Sequence, residues 1–300
     1  VSNEPLFDSA FLRKLDRLVL LTRSAMVGDM QGERRSKRYG SSVEFADFRP
    51  YTVGDDIRQV DWKLYARMER FFLKLFVAEE EMTVHLLLDS SASMDWGDPN
   101  KLAYARRLVA AFGYIALSSL DLVTVMAFGL RGSEDAPATA RQLPGVRGKR
   151  SAFALFSFLQ SLAPGGRGSL AATCHHYLQR ARTAGPLLLC SDLLDDSWED
   201  ALRTLSSRPF EITLLHVLAP QELTPQLEGD FRLIDTEDGT PVEITADLDL
   251  LTRYRQNLDS WLHEVENFCQ GRGITYMRLD TSLPVEEFIL SNMRERGVLR

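Results

Sequence analysis

The sequence predicts an α/β fold in which a doubly wound, mostly parallel sheet is flanked by helices. Three observations predict it. Short apolar runs of strand length recur from Val84 onward, with longer segments between them that carry apolar residues at helical spacing. Runs apolar at nearly every position suit strands buried on both faces, which is the habit of parallel sheets. Two of the runs lead into an aspartate, at the carboxyl ends where such sheets collect ligands.

The elements follow in chain order. Residues 7–26 place Phe11, Leu15, Leu18, Val19 and Thr22 at helical spacing with charges between them, an amphipathic helix. Val43-Glu44-Phe45 and the run from Phe71 to Val77 are strand-like, around a turn-rich middle. These parts form a small N-terminal helix-plus-β extension, residues 1–80, ahead of an α/β domain at 81–300. In that domain a strand at 84–88 leads to a helix at 101–118 and a strand at 122–128. Helical segments at 151–162 and 169–183 precede the strand 186–190. A helix at 198–205 then leads to the strand 211–218. A hairpin joins 231–234 to 242–244 through Asp238-Gly239. A long helix at 248–270 stops at Gly271 and Gly273, before the strand 274–279 and a last helix after Pro284. Right-handed crossovers wind such a chain over both faces of its sheet.

Composition narrows the function classes. The 300 residues suffice for one large domain or two modest ones, and 45% hydrophobic with 26% charged residues is ordinary for a soluble globular protein. A net charge of -7 gives no reason to expect nucleic acid or an anionic membrane as partner. The basic cluster Glu33-Arg34-Arg35-Ser36-Lys37-Arg38 lacks interleaved aromatics and reads as a solvated loop. Cys174, Cys190 and Cys269 are odd in number and widely spaced, which indicates neither a disulfide scaffold nor a zinc site; a reducing cytoplasm fits best. His175-His176 point apart on a helix, so a shared metal is not expected there. Leu108 to Phe128 is almost continuously apolar, but Asp121 would cost about 2.5–3.5 kcal/mol near a bilayer centre. Ser118-Ser119-Leu120-Asp121 reads instead as a break between helix and buried strand, so no membrane span is expected. The N-terminus opens on charged residues without an apolar h-region, so no signal peptide is expected either.

Chemistry concentrates at Asp89-Ser90-Ser91-Ala92-Ser93. In a locally extended segment residues i, i+2 and i+4 face one way, so Asp89, Ser91 and Ser93 could present three oxygens to one hard cation. The same residues also suit a polar turn and helix cap. Asp192, after Leu187-Leu188-Leu189-Cys190-Ser191, adds a second strand-end carboxylate. Two such carboxylates repel unless a cation lies between them.

The Asp89-x-Ser91-x-Ser93 pattern with Asp192 downstream resembles the metal-ion-dependent adhesion site of von Willebrand factor A domains, which are Rossmann-like. Upstream, Gly54-Asp55-Asp56-Ile57-Arg58-Gln59-Val60-Asp61-Trp62, then Ala66-Arg67 and Glu79-Glu80, resembles the signature of the bacterial DUF58 family. Phe45, Arg49, Pro50 and Tyr51 fall where that family's pattern has them. His216-Val217-Leu218, Glu222-Leu223, Asp235-x-Glu237 and Tyr254 are similar to its C-terminal half. The resemblance implies a divalent ion, Mg2+ or Mn2+, on Asp89, Ser91, Ser93 and Asp192. The adhesion-type site usually adds a threonine from a glycine-rich loop, whereas this chain has Pro164-Gly165-Gly166-Arg167-Gly168-Ser169-Leu170. Ser169 could supply that hydroxyl; alternatively the position is Gly168 and the ligand is missing, with Thr173 a weaker candidate. In the upstream signature Asp55, Asp56, Arg58, Asp61 and Arg67 are expected to form a structural ion-pair latch with Trp62 as a packed anchor.

Three functions compete. The first is a non-enzymatic interaction module whose ion takes an acidic residue of a partner; the resemblance implies a MoxR-type AAA+ ATPase and chaperone-like assembly. The second is a Mg2+-dependent phosphohydrolase or nuclease. Against it stand the lack of a DxD motif of the aspartyl-phosphate type, of a phosphate-binding loop and of a GxSxG elbow, and the placing of His85 and His216 inside apolar strands. The third is a scaffold with a degenerate metal site.

Overall fold

Asp8 starts the first helix, α1 (Ser9–Leu15), by accepting the Phe11 amide at 2.6 Å. In the computed structural model the described residues are 6–20, 45–52, 55, 57, 60–76, 82–130, 139–166, 168–236 and 239–299. They form two units, Ser24–Glu81 and the remainder, Val1–Arg23 with Met82–Arg300. The first twenty-three residues therefore group with the α/β unit and not with the β extension, which moves the boundary expected at residue 80. The reason is apolar: Phe7, Phe11, Leu15, Leu18 and Leu20 are buried in the core of the large unit. The helix is also shorter than the expected 7–26. A turn at Asp16 and Arg17 ends it, Leu18 and Leu20 bury at a spacing of two while Leu20 bridges Leu299, and residues 21–26 lie outside the described residues.

In the small unit β1 (Phe45–Pro50) pairs antiparallel with β2 (Phe72–Phe76). Between them lies α2 (Trp62–Met68), which the turn-rich reading did not foresee. Asp61 caps it through the Lys63 and Leu64 amides at 2.8 and 3.1 Å, and Glu69 ends it in the left-handed conformation. Asp55 takes a two-pronged ion pair from Arg49, at 2.7 and 2.6 Å. That pair and the Thr52 hydrogen bonds hold its carboxyl far below the usual carboxylate range. Only part of the expected latch falls among the described residues. The partner of Asp55 is Arg49, Asp61 serves as a helix cap, and Trp62 is 57% exposed. Asp56, Arg58, Glu79, Glu80 and the 33–38 cluster lie outside the described residues.

The large unit then follows the predicted alternation. β3 (Thr83–Asp89), α3 (Lys101–Ser118) and β4 (Leu122–Leu130) come first, with β5 (Thr139–Arg147) turning back antiparallel to β4. α4 (Ala152–Gln160) and α5 (Leu170–Arg180) lead to β6 (Pro186–Ser191). α6 (Trp198–Leu205), β7 (Glu211–Leu218) and the short α7 (Pro220–Leu223) precede the hairpin of β8 (Gly229–Ile234) and β9 (Pro241–Ala246). α8 (Leu248–Gln270) and β10 (Thr275–Asp280) end in helical turns from Val285 to Glu295.

Alternation along each strand sorts the core into two layers. Leu86 and Leu88, Leu188 and Cys190, and Leu215 and Val217 pack on one face with α1, α3 and α4. Leu87, Leu187, Leu189, Ile212 and Leu214 pack on the other with α5, α6 and α8. Each fully buried aliphatic side chain contributes about 1.5–3 kcal/mol over its exposed state, so both faces must be covered. The sheet order is β10-β7-β6-β3-β4-β5, parallel except at β5. This is the doubly wound α/β fold that the sequence predicts. β5 was not foreseen, because an edge strand carrying Pro144 and Gly145 and mostly exposed side chains shows no period-two burial. The Leu108–Phe128 run is α3 followed by β4, and among the described residues no helix is long and apolar enough to cross a membrane.

Candidate functional site

From β3 the chain steps to β4 on one side and later returns as β6 on the other, so the switch point lies between β3 and β6. That crevice is where a doubly wound sheet offers backbone ends to a ligand. Register places Leu88 opposite Cys190, which brings Asp89 and Ser191 side by side at the strand ends. Ser191 Oγ donates to Asp89 Oδ2 at 2.6 Å, and the Ser91 amide donates to Asp89 Oδ1 at 2.9 Å. The loop that follows curls back so that the Ser91 and Ser93 hydroxyls stand 3.0 Å apart. Three of the expected ligands are therefore together on one turn.

Two close approaches shape that turn. Gly166 forms a parallel bridge with Ser91, and its amide donates to the Gly129 carbonyl at 2.9 Å. Gly129, with φ of +68°, passes so near that a Cβ there would sit 2.7 Å from the Ser91 amide nitrogen. Only glycine fits both constraints.

Asp89 is 6% exposed and among the described residues takes only neutral donors, the Ser91 amide and the Ser191 hydroxyl. Burial first, and then the charge of Asp192, push its carboxyl up to about 7. Asp192 itself has a counter-charge. Lys101, fully buried at the first position of α3, donates to Asp192 Oδ2 at 2.8 Å and to Glu222 Oε1 at 2.5 Å. Glu222 Oε2 in turn accepts the Ala219 amide at 2.7 Å, and the Glu222 carbonyl accepts the Tyr254 hydroxyl at 2.7 Å. The Asp192 main chain is pinned as well. His216 Nε2 donates to its carbonyl at 3.0 Å, which leaves Nδ1 to accept the Tyr276 hydroxyl at 2.9 Å. Burial pushes His216 down to about 4, so it stands neutral.

Ser169 is placed differently. It is exposed at the N-cap of α5, accepts the Ala172 amide at 3.2 Å and lies 3.2 Å from the Ser197 hydroxyl. Asp195 ties the same corner together by accepting the Leu170 amide at 2.9 Å and the Ser197 amide at 2.7 Å. Ser169, Gly168 and Ser93 nevertheless line one cleft of about 530 Å³, with Leu194, Asp195, Asp196, Ser197, Asp235 and Thr236. Thr173 turns back to its own helix, its hydroxyl donating to the Ser169 carbonyl at 3.0 Å.

The donor set suits a hard dication. Carboxylate and hydroxyl oxygens are its ligands, and the Ser91 and Ser93 hydroxyls, hydrogen-bonded to each other at 3.0 Å, are two such oxygens close to Asp89. Among the described residues no group of three or more His, Cys, Asp or Glu side chains could hold a metal ion, so a cation here depends on the serine hydroxyls. Lys101, Glu222 and His216 were missed as parts of this centre. Glu222 and His216 stood in the family-like pattern, but nothing local distinguishes Lys101 from a surface lysine in a first helical turn.

The model of a family described as "Protein of unknown function DUF58" matches residues 47–260. An uncharacterized protein of Mycobacterium tuberculosis and one of Mycobacterium bovis are each 25% identical over 300 residues, covering 97% of this chain and 92% of theirs. Among solved structures, the conserved hypothetical protein BatB from Bacteroides thetaiotaomicron is 16% identical with a TM-score of 0.41, covering 72% of this chain and 98% of its own. An aerotolerance-related membrane protein from Bacteroides fragilis is 18% identical with a TM-score of 0.42, over 71% and 99%. A von Willebrand factor type A protein from Catenulispora acidiphila is 18% identical with a TM-score of 0.34, over 49% and 35%.

Proposed function

The chain belongs to the DUF58 family, and from that premise we propose that it is a non-enzymatic protein-interaction module that binds through a divalent cation. Asp89, Ser91 and Ser93 would hold the ion, with Ser169 and Asp192 as the further candidate ligands. Mg2+ or Mn2+ bound there supplies a Lewis-acidic position that a carboxylate from a partner protein completes. The observation that carries this reading is the pair of serine hydroxyls 3.0 Å apart on the turn after buried Asp89, at the switch point of the sheet. The raised Asp89 carboxyl supports it, since an ionised carboxylate here gains most from a cation.

The partner is a MoxR-type AAA+ ATPase presenting an acidic residue, and the setting is cytoplasmic assembly. The family resemblance supports the partner, and three buried free thiols support the compartment. Capture of such a partner by the purified chain, with and without EDTA, tests the reading. Capture is lost with EDTA and in Asp89→Ala if the reading holds; capture unchanged in both conditions removes it.

A scaffold with a degenerate metal site is the second reading. It is favoured by the engagement of the Ser169 hydroxyl in capping α5. Calorimetric titration of Mg2+ and Mn2+ into metal-free protein separates the two.

A further inference from the structure

Repulsion between Asp89 and Asp192 is the physical reason to expect a cation at the strand ends. The molecule already supplies one of its own. Lys101 is fully buried, its ammonium 2.8 Å from Asp192 Oδ2 and 2.5 Å from Glu222 Oε1. A lysine is almost never buried this way unless it is paired. Here the pairing is built from three separate elements. Lys101 opens α3, which Asn100 caps through the Ala103 amide at 2.9 Å. Asp192 follows β6, and Glu222 sits in α7, fixed by the Ala219 amide. The loop between Ser93 and α3 is locked to α7 too, because Asp98 and Gln221 exchange hydrogen bonds at 3.2 and 2.7 Å. The Pro99 carbonyl accepts the Thr281 hydroxyl at 2.9 Å. The ammonium therefore cannot swing away from Asp192 without disturbing α7.

We propose that Lys101 sets the affinity of this centre: its buried ion pair withdraws Asp192 from a bound dication, so that of the two strand-end carboxylates only Asp89 is left to ligate the ion. One carboxylate and neutral hydroxyls bind Mg2+ weakly and leave it strongly electrophilic. Occupancy then depends on a second carboxylate brought by the partner, which couples metal binding to docking. Lys101 acts through Asp192 and is a positioning residue. The inference rests on the reading of the centre as a cation site, and its test tells the two apart.

The experiment is calorimetric titration of Mg2+, and separately Mn2+, into the metal-free full chain. The wild type is compared with Lys101→Arg, Lys101→Met and the double variant Lys101→Met/Glu222→Gln. The double variant removes the carboxylate that would otherwise be left without its ammonium. Far-UV circular dichroism checks each fold. Both Met variants are expected to bind metal at least about tenfold more tightly than wild type, through the freed Asp192 charge, with Lys101→Arg near wild type. Equal or weaker binding by folded Met variants overturns the inference while leaving the metal reading intact if wild type binds. Binding by the Met variants alone sustains the inference and overturns the metal reading of the native chain. Absence of binding throughout overturns both. If the Met variants fold only with metal, recovery of the dichroism spectrum on adding Mg2+ sustains the inference, and no recovery overturns it.

Discussion

Asp89 holds a carboxyl that burial and the neighbouring Asp192 charge push up to about 7. The folded state thus keeps a proton that the unfolded chain gives up near 3.8, and stability falls as pH rises through about 7. Asn at this position keeps the shape without the charge. Its amide can still serve the Ser91 amide, and the Ser191 hydroxyl can rotate to accept. We expect metal-free Asp89→Asn to melt above metal-free wild type at pH 8 and to lose that advantage near pH 4. Added Mg2+ should raise the thermal midpoint of wild type and leave the variant unmoved. The signal for Asp89 was legible in the sequence because a carboxylate after an apolar run marks a strand end. Lys101 was not legible, since its burial is fixed by Asp192 and Glu222, which lie 91 and 121 positions away.

At the scale of elements, the site depends on how closely β4 and the turn after β3 approach. Gly129→Ala puts a methyl 2.7 Å from the Ser91 amide and forces a left-handed backbone on alanine. Denaturant unfolding should report a loss on the order of 1–3 kcal/mol, and the metal response should weaken with it. A cap substitution gives a different test. Asn100→Ala removes the side-chain acceptor for the Ala103 amide at the start of α3 and should cost about 0.5–2 kcal/mol by the same measurement. Strands buried on both faces and the long helix α8 were readable because their side chains obey one period throughout. Helix α2 and strand β5 were not. The first has too few turns for a period to show, and the second is an edge whose side chains face solvent.

Across the whole molecule, the two core histidines make folding sensitive to acid. Burial holds both His85 and His216 down to about 4, against an ordinary value of 6.5. The unfolded chain therefore takes up protons that the folded one refuses, and stability present above 6.5 is lost as pH falls towards 4. Asp89 acts with the opposite sign over part of the same window, so the wild-type profile is a sum, and a variant isolates one part. His85→Gln, which keeps a polar group near the Tyr177 hydroxyl, should lose less stability between pH 7 and pH 4.5 than wild type does. Urea unfolding at the two pH values checks it. His216 is the worse choice for this test, because it also holds the Asp192 carbonyl.

The sequence alone determined the layered α/β architecture, the strand that carries Asp89, and the clustering of Asp89, Ser91 and Ser93. The first two follow from local periodicity, which the chain carries wherever it folds; the serines meet because a turn curls back after β3, not through the extended spacing expected. Tertiary structure decided the rest. It grouped the N-terminal helix with the large unit, turned β5 antiparallel, kept the Ser169 hydroxyl on its own helix cap and gave Asp192 a lysine. Most of those outcomes depend on register and burial between residues far apart in the chain, where apolar burial and the pairing of distant charges outweigh local preference.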